Sequence, residues 1–280
     1  MRRLDWGDLD SPHAFLHSLL AVSDRYVIHP GDLSWWVHHH DPRRPQFEVW
    51  MDGADALVVI DPSEPEIDLF VRPGAGSVGE LVEWAQGRVE GRAKIGWVAD
   101  SDQEMNEYLS GAAYRAVEAD RSYRWNLRNT TIPAPALGED WVLRPVLGEE
   151  EADNRRHASH LAFESTMDPA EHLDRYLTFM RSPVYLPEND LVAIAPDGTI
   201  ASFMVWWPDA SGIAQIEPFG THPDFQRRGV GKALIHHGLS RMKEAGVTVC
   251  RVVTNDYRLA THFYESVGFT DVGALRWWAR

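Results

Sequence analysis

The sequence predicts a mixed α/β chain of two domains built to one plan. Each is a mostly antiparallel sheet with one locally parallel, splayed strand pair, flanked by helices. Three observations predict it. Residues 46–117 repeat the order of apolar runs, turns and helical periods of residues 191–272. In each half an Asp-Gly pair, Asp52-Gly53 or Asp197-Gly198, separates two apolar runs, as in a hairpin. In each half a third apolar run ends at a proline, Pro73 or Pro223, and passes through a glycine-bearing turn into a helix and another strand. Strand, helix, strand with so short a crossover implies parallel pairing.

In chain order, the first half offers strands at FEVWM (47–51), ALVVI (56–60) and EIDLFVRP (66–73), with the turn Asp61-Pro62-Ser63-Glu64-Pro65 before the third. A helix at SVGELVEWAQGRV (77–89), a strand at KIGWVAD (94–100) and a helix at DQEMNEYLSGAAY (102–114) follow. Residues 128–140, RNTTIPAPALGED, have the proline-rich, turn-prone composition of a linker. The second half repeats the series with LVAIA (191–195), TIASFMVWW (199–207) and IAQIEPFGTHP (213–223). Its next helix, residues 229–245, sets Val230, Leu234, Ile235, Leu239 and Met242 at helical spacing, with Gly246 as its stop. VTVCRVVTND (247–256) and RLATHFYESVGF (258–269) give the last strand and helix of the repeat. The predicted domains are residues 1–127 and 141–280, joined by 128–140.

The 280 residues, 44% hydrophobic and 25% charged, suit a globular protein with a sizeable core. A formal net charge of −15 argues against nucleic acid or an anionic membrane as partner and favours cationic small molecules. No run approaches the roughly 20 apolar residues of a membrane span. The opening MRRLDWGDLD lacks the long apolar region of a secretory signal. The one cysteine, Cys250, excludes an internal disulfide and sits in an apolar strand, as an inert buried thiol would. A cytoplasmic protein is expected.

Gln226-Arg227-Arg228-Gly229-Val230-Gly231 joins a strand to a helix and has the makings of a phosphate cradle. Its two glycines permit a tight turn that aims backbone N–H groups at one point, and the helix N-terminus adds partial positive charge. No Gly-Lys-Ser/Thr follows, which excludes a P-loop, and the three-glycine spacing of a dinucleotide fold is absent. The stretch resembles the pyrophosphate turn of the GNAT superfamily of N-acetyltransferases, Gln/Arg-x-x-Gly-x-Gly/Ala. The resemblance continues through IEPFGTHPDFQRRGVGKALI (216–235), VCRVVTN (249–255) and HFYESVGF (262–269), and covers roughly residues 140–280. It implies acetyl-CoA as co-substrate, its pyrophosphate on the turn and its pantetheine between the two strands.

At the corresponding place the first half has Gly74-Ala75-Gly76-Ser77-Val78-Gly79, with neither the glutamine nor the arginines, and Leu109 falls opposite Tyr264. That hexad matches G-x-G-x-x-G, a short pattern that a structural turn explains as well. The resemblance therefore implies tandem GNAT-like domains, the N-terminal one degenerate.

Acetyl transfer to an amine of pKa about 10.4 requires help with deprotonation. Glu217 is the candidate base, with the alternative that it pairs with an ammonium or an arginine. Gln215, on the same strand face, can only orient a water, and some family members have a glutamate there. Pro218 cannot donate to a sheet ladder and suits a bulge. The resemblance gives backbone donors to the acetyl carbonyl and pantetheine at Phe219 and Thr221, and the acid that protonates the thiolate at Tyr264, whose alternative is a core tyrosine. Around the phosphates it implicates Gln226, Arg227, Arg228, Gly229, Val230, Gly231 and Lys232. Asn255 serves either the cofactor or a strand end, since Tyr257 stands where the family often has asparagine.

For the acceptor, residues 160–180 offer Glu164, Asp168, Glu171 and Asp174, which suit either a solvated helix face or a cationic amine. Trp206, with Trp207, precedes the active strand and could hold an acceptor, although paired tryptophans mostly serve packing. His38-His39-His40 lacks a ligand spacing, so no metal is expected, and His236-His237 points two ways around a helix. The expected protein is an acetyl-CoA-dependent N-acetyltransferase acting on a small, cationic amine in a ternary complex. A protein or peptide N-acetyltransferase and a non-catalytic acyl-CoA sensor are the alternatives.

Overall fold

The computed structural model describes residues 1–5, 9–20, 27–38, 47–62, 64–89, 93–182, 184–255 and 258–280. The chain forms two compact units. The first holds Met1–Leu33, His40–Tyr123 and Val253–Arg280; the second holds Ser34–His39 and Arg124–Val252. Among the described residues no helix is long and apolar enough to cross a membrane.

The first unit contains β1 (Arg2–Arg3), α1 (Asp10–Leu20), the start of α2 (Pro30–His38), β2 (Glu48–Asp52), β3 (Ala56–Asp61) and β4 (Glu66–Val71). It continues through α3 (Val78–Gln86), β5 (Lys94–Ala99), α4 (Gln103–Gly111) and most of β6 (Arg115–Asn126). The second unit contains β7 (Val142–Pro145), α5 (Ala152–Ala162), α6 (Pro169–Met180), β8 (Asp190–Ile194), β9 (Ile200–Pro208), β10 (Ile213–Thr221), α7 (Val230–Glu244) and the start of β11 (Val249–Asn255). The chain then returns to the first unit with α8 (Arg258–Val267) and β12 (Thr270–Ala279).

The strands of the two units follow one plan. In the first, β2, β3 and β4 form an antiparallel meander and β4 pairs in parallel with β5 across α3. In the second, β8, β9 and β10 form the meander and β10 pairs in parallel with β11 across α7. The repeat read from the sequence is therefore present as a repeated topology. The apolar periods explain the packing: Ile67, Val82, Ile95 and Leu109 close the first unit's core, and Leu234, Ile235, Leu239 and Met242 bury the inner face of α7.

The division drawn from the repeat differs from these units at the C-terminus. Residues 253–280 belong to the first unit because β12 pairs antiparallel with β5, Leu275 opposite Ala99 and Trp278 opposite Ile95. Trp278 joins the core cluster of that unit. Residues 128–140 are free of helix and strand, as a linker composition dictates.

Candidate active site

The second unit gathers most of the predicted residues. β10 pairs with β11 from Ile213↔Val249 to Ile216↔Val252, and its register with β9 shifts between Ile216 and Phe219. The bulge falls on Glu217 and Pro218, where a residue without an N–H interrupts the ladder. Beyond it the strand recovers its pairing with β9, Phe219 opposite Met204 and Thr221 opposite Ser202. Ser202 Oγ donates to the Gly220 carbonyl (2.7 Å) and lies 3.0 Å from Thr221 Oγ1, fixing the strand end. A Cβ at Gly220 would come within 2.4 Å of the Phe203 ring and 3.1 Å of Ala162, so α5 lies directly on this strand.

From Thr221 the chain passes through a 3₁₀ turn, Pro223–Phe225, to α7. Gln226 Nε2 donates to the Thr221 carbonyl (3.2 Å), closing the loop on itself. Arg227 has φ +58° and Gly229 φ +82°, so the chain turns through two left-handed residues before the helix starts. Gly229 caps α7 with no side-chain hydrogen bond, and the first amide bonded back into it is Ala233, to the Gly229 carbonyl at 2.9 Å. A Cβ at Gly229 would meet nothing within 4 Å, so the turn opens outward. Gln226, Arg227, Arg228 and Lys232 are exposed, while Val230 and Gly231 are buried in the first helical turn. The Arg228 guanidinium stands over the Phe225 ring, 5.5 Å from its centroid. This donor set, backbone amides at a helix N-terminus bordered by exposed guanidinium groups, fits a pyrophosphate.

Glu217 and Pro218 also face a cavity of about 330 Å³ within the second unit. Its other walls are Trp35, Arg155, Arg156, Ser159, Phe163, Ser165, His172, Tyr176 and Val205, from α2, α5, α6, β9 and the 163–165 segment. Arg155 is buried: its Nε donates to Asp190 Oδ1 (3.1 Å), and its guanidinium lies 4.0 Å from the Phe203 ring centroid. Asp190, with no exposed side-chain surface, also accepts from the Tyr176 hydroxyl at 2.6 Å. Arg156 Nε donates to Asp153 Oδ1 (3.1 Å). His172 Nδ1 lies 3.4 Å from His160 Nδ1. Burial, and then the charges of His160, Arg156, Arg155 and Arg175, lower the His172 pKa to about 4, so its ring is neutral at pH 7.

Of the predicted acceptor residues, Gln215 is buried opposite Trp207, and Gln215 Oε1 and Trp207 Nε1 have no hydrogen-bond partner among the described residues. Trp206 is buried opposite Ile216. Asp168 caps α6, accepting from the amides of Ala170 (2.9 Å) and Glu171 (3.2 Å). Glu171 pairs with Arg175 at 2.6 Å, and Glu164 and Asp174 are exposed. The cavity wall is thus built from Arg155, Arg156, Ser159, His172 and Tyr176, which the sequence reading did not single out. The signal was a lone aspartate, Asp190, opening the apolar run LVAIA, since a fully buried carboxylate requires a cation.

Tyr264 and Asn255 belong to the first unit. Tyr264 is 6% exposed, its ring 5.6 Å from Phe269 and 5.8 Å from Tyr123. Asn255 ends β11, exposed. Cys250 is fully buried, and burial pushes its thiol pKa far up. His236 is buried edge-on to Trp125, their centroids 6.3 Å apart. The side chains of His38, His39 and His40, and Tyr257, lie outside the described residues. Among the described residues no three His, Cys, Asp or Glu side chains gather as a metal site.

Residues 156–269 match the family model described as the Acetyltransferase (GNAT) family. A mycothiol acetyltransferase of Nocardiopsis dassonvillei is 31% identical over 154 residues, 48% of this chain and 44% of that protein, so this chain spans less than half the length of that relative. Two solved structures share the fold. A tandem GNAT protein from the clavulanic acid biosynthesis pathway aligns with TM-score 0.70 at 14% identity, over 99% of this chain and 97% of that one. A GCN5-related N-acetyltransferase from Sphaerobacter thermophilus aligns with TM-score 0.63 at 18% identity, over 100% of this chain and 94% of that one.

Proposed function

We propose, from the premise that residues 156–269 are a GNAT acetyltransferase domain, that this protein is an acetyl-CoA-dependent N-acetyltransferase acting on a primary amine of a small molecule. The observation that carries this reading is one strand, β10, whose bulge puts Glu217 on the cavity and whose far end leads into the glycine-started N-terminus of α7. A donor held by its pyrophosphate on that turn and an amine in that cavity would meet along one strand. The relative named mycothiol acetyltransferase favours a small-molecule acceptor. So does the cavity, whose walls include Phe163, Ser165, His172 and Tyr176 from residues 160–180.

In this reading the turn amides from Gly229 to Lys232 hold the pyrophosphate, with Gln226 shaping the loop and Arg227 or Arg228 adding a charge-assisted contact. Bound acetyl-CoA supplies the activated acetyl thioester. Glu217 takes the proton of the ammonium directly or through one water that Gln215 orients, generating the neutral amine that attacks. Backbone N–H groups at Phe219 and Thr221 polarise the acetyl carbonyl. The departing thiolate takes a proton from water; Tyr264 and Asn255, which the resemblance implies for the donor, belong to the first unit and enter no step of this reading. Cys250, buried with its thiol pKa raised, leaves direct transfer as the route, and a lone buried thiol suits a reducing cytoplasm. The first unit, whose turn lacks the glutamine and the arginines, is the degenerate copy.

The test is release of CoA thiol from acetyl-CoA over a panel of polyamines, amino sugars, amino acids and basic peptides, with Gly229→Trp as control. At φ +82° a tryptophan strains the turn and covers its amides. Acceptor-dependent release that the control loses supports the transferase. Release with basic peptides alone turns the reading to a protein N-acetyltransferase, and CoA binding without any release turns it to a sensor.

A further inference from the structure

We infer that the acceptor is an amine that also carries a carboxylate, the carboxylate held by Arg155 and Arg156 while the amine faces Glu217. This rests on the proposed acetyltransferase reading for what happens to the amine, but the anion site stands on its own geometry.

Among the described residues the wall of the cavity contains two guanidinium groups and one carboxylate, Glu217. Each arginine is tied to the protein by the edge that leaves its remaining N–H groups available. Arg155 donates to Asp190 through Nε, and among the described residues no hydrogen bond from its Nη atoms to protein is formed. Arg156 bonds Asp153 through Nε and Nη2, leaving Nη1. The two charges are balanced unequally. Asp190 is fully buried beside Arg155, whereas the Asp153 side chain is 66% exposed and its charge is screened by water. The side chain of Arg156 is only 8% exposed and lines the cavity, so its Nη1 is largely shielded from bulk solvent.

The neighbouring His172 senses the same field: both arginines contribute to lowering its pKa, and its neutral ring leaves them as the fixed cations of the wall. The N–H groups these guanidinium forks leave unused suit a carboxylate, for which the planar fork is the matching partner. Glu217 supplies the opposite pole for an ammonium. Of the four acids proposed for a cation, Asp168 caps α6, Glu171 pairs with Arg175, Glu164 and Asp174 are exposed, and none of them lines the cavity. At about 330 Å³ the cavity lies at the small end of ligand pockets, which suits an amino acid or a similarly small zwitterion, its side chain against Trp35, Phe163 and Tyr176.

The experiment compares matched pairs, α-amino acids and their α-carboxamides, which share the amine and side chain and differ in the anionic charge. Equilibrium binding to the full-length protein with CoA present is measured by calorimetry, and thiol release from acetyl-CoA is measured on the same pairs. The expected result is at least tenfold tighter binding of the acid than of the amide, reduced to less than threefold in Arg156→Gln and partly retained in Arg156→Lys. Arg156 is the position to vary because Arg155 belongs to a buried ion pair whose loss endangers folding, and thermal unfolding confirms that each variant is folded. Equal or tighter binding of the amides, an acid preference that survives Arg156→Gln, or no binding of either series overturns the inference. Acids that bind but release no thiol leave the anion site standing and sink the acetyltransferase reading instead.

Discussion

At the residue scale the proposed chemistry is most exposed to test at Glu217. Glu217→Gln keeps the shape at the bulge and removes the proton acceptor, so turnover should fall about 10²-fold or more while CoA affinity stays the same. Steady-state rates with calorimetric CoA titration check this, and a change within threefold would take Glu217 out of the proton path. His172 gives a prediction in pH. Its folded pKa, lowered to about 4 from 6.5, means the unfolded chain binds the proton more readily. Its contribution to stability is therefore complete above about pH 6.5 and is lost as pH falls through 4. Urea unfolding between pH 7 and pH 4 should show a steeper loss in the wild type than in His172→Gln; parallel curves would mean that the ring is not held neutral.

At the scale of elements, two local devices hold the cavity wall. Asp168 accepts two amide hydrogen bonds at the start of α6, the helix that carries His172 and Tyr176. Asp168→Ala should cost about 1 kcal/mol in chemical denaturation, the ordinary value of a lost N-cap. Gly220 allows α5 to lie against β10, and Gly220→Ala places a methyl group 2.4 Å from the Phe203 ring. That overpacking should cost about 1–3 kcal/mol and weaken acceptor binding more than CoA binding, because Phe203 packs beneath Arg155. Equal stability of the alanine variant would show that the helix moves freely on the strand. Asp168-Pro169 carries the signature of a helix start, which the reading of Asp168 as an acceptor or surface acid passed over, and nothing in the sequence around Gly220 names Phe203 as its neighbour.

At the scale of the whole molecule the C-terminal segment decides what is separable. Residues 141–280 read as a domain, yet β12 pairs with β5 and Trp278 lies in the core that Ile95 and Leu109 build. A fragment of residues 141–280 should therefore aggregate or lack near-UV circular dichroism, while the full chain is folded and monodisperse. A well-dispersed monomeric fragment would show that β12 does not need the first unit's sheet. Pro-rich residues 128–140 carry an obvious linker composition, while the pairing of β12 with β5 leaves no local mark. β6 was missed for a related reason: Arg115–Asn126 is largely charged or polar and half of it is exposed, so no apolar alternation marks it.

The repeated topology, the bulge at Pro218 and the glycine-started turn into α7 are written in local sequence. Each depends on interactions within a few residues: alternation, a missing N–H, a left-handed φ. Long-range packing places β12 with the first unit, keeps the acids of residues 164–174 off the cavity wall, and puts Arg155, Arg156 and His172 on it. The environment of a buried charge is set by its partner. For Arg155 that partner, Asp190, stands 35 residues along the chain, a distance no local pattern spans.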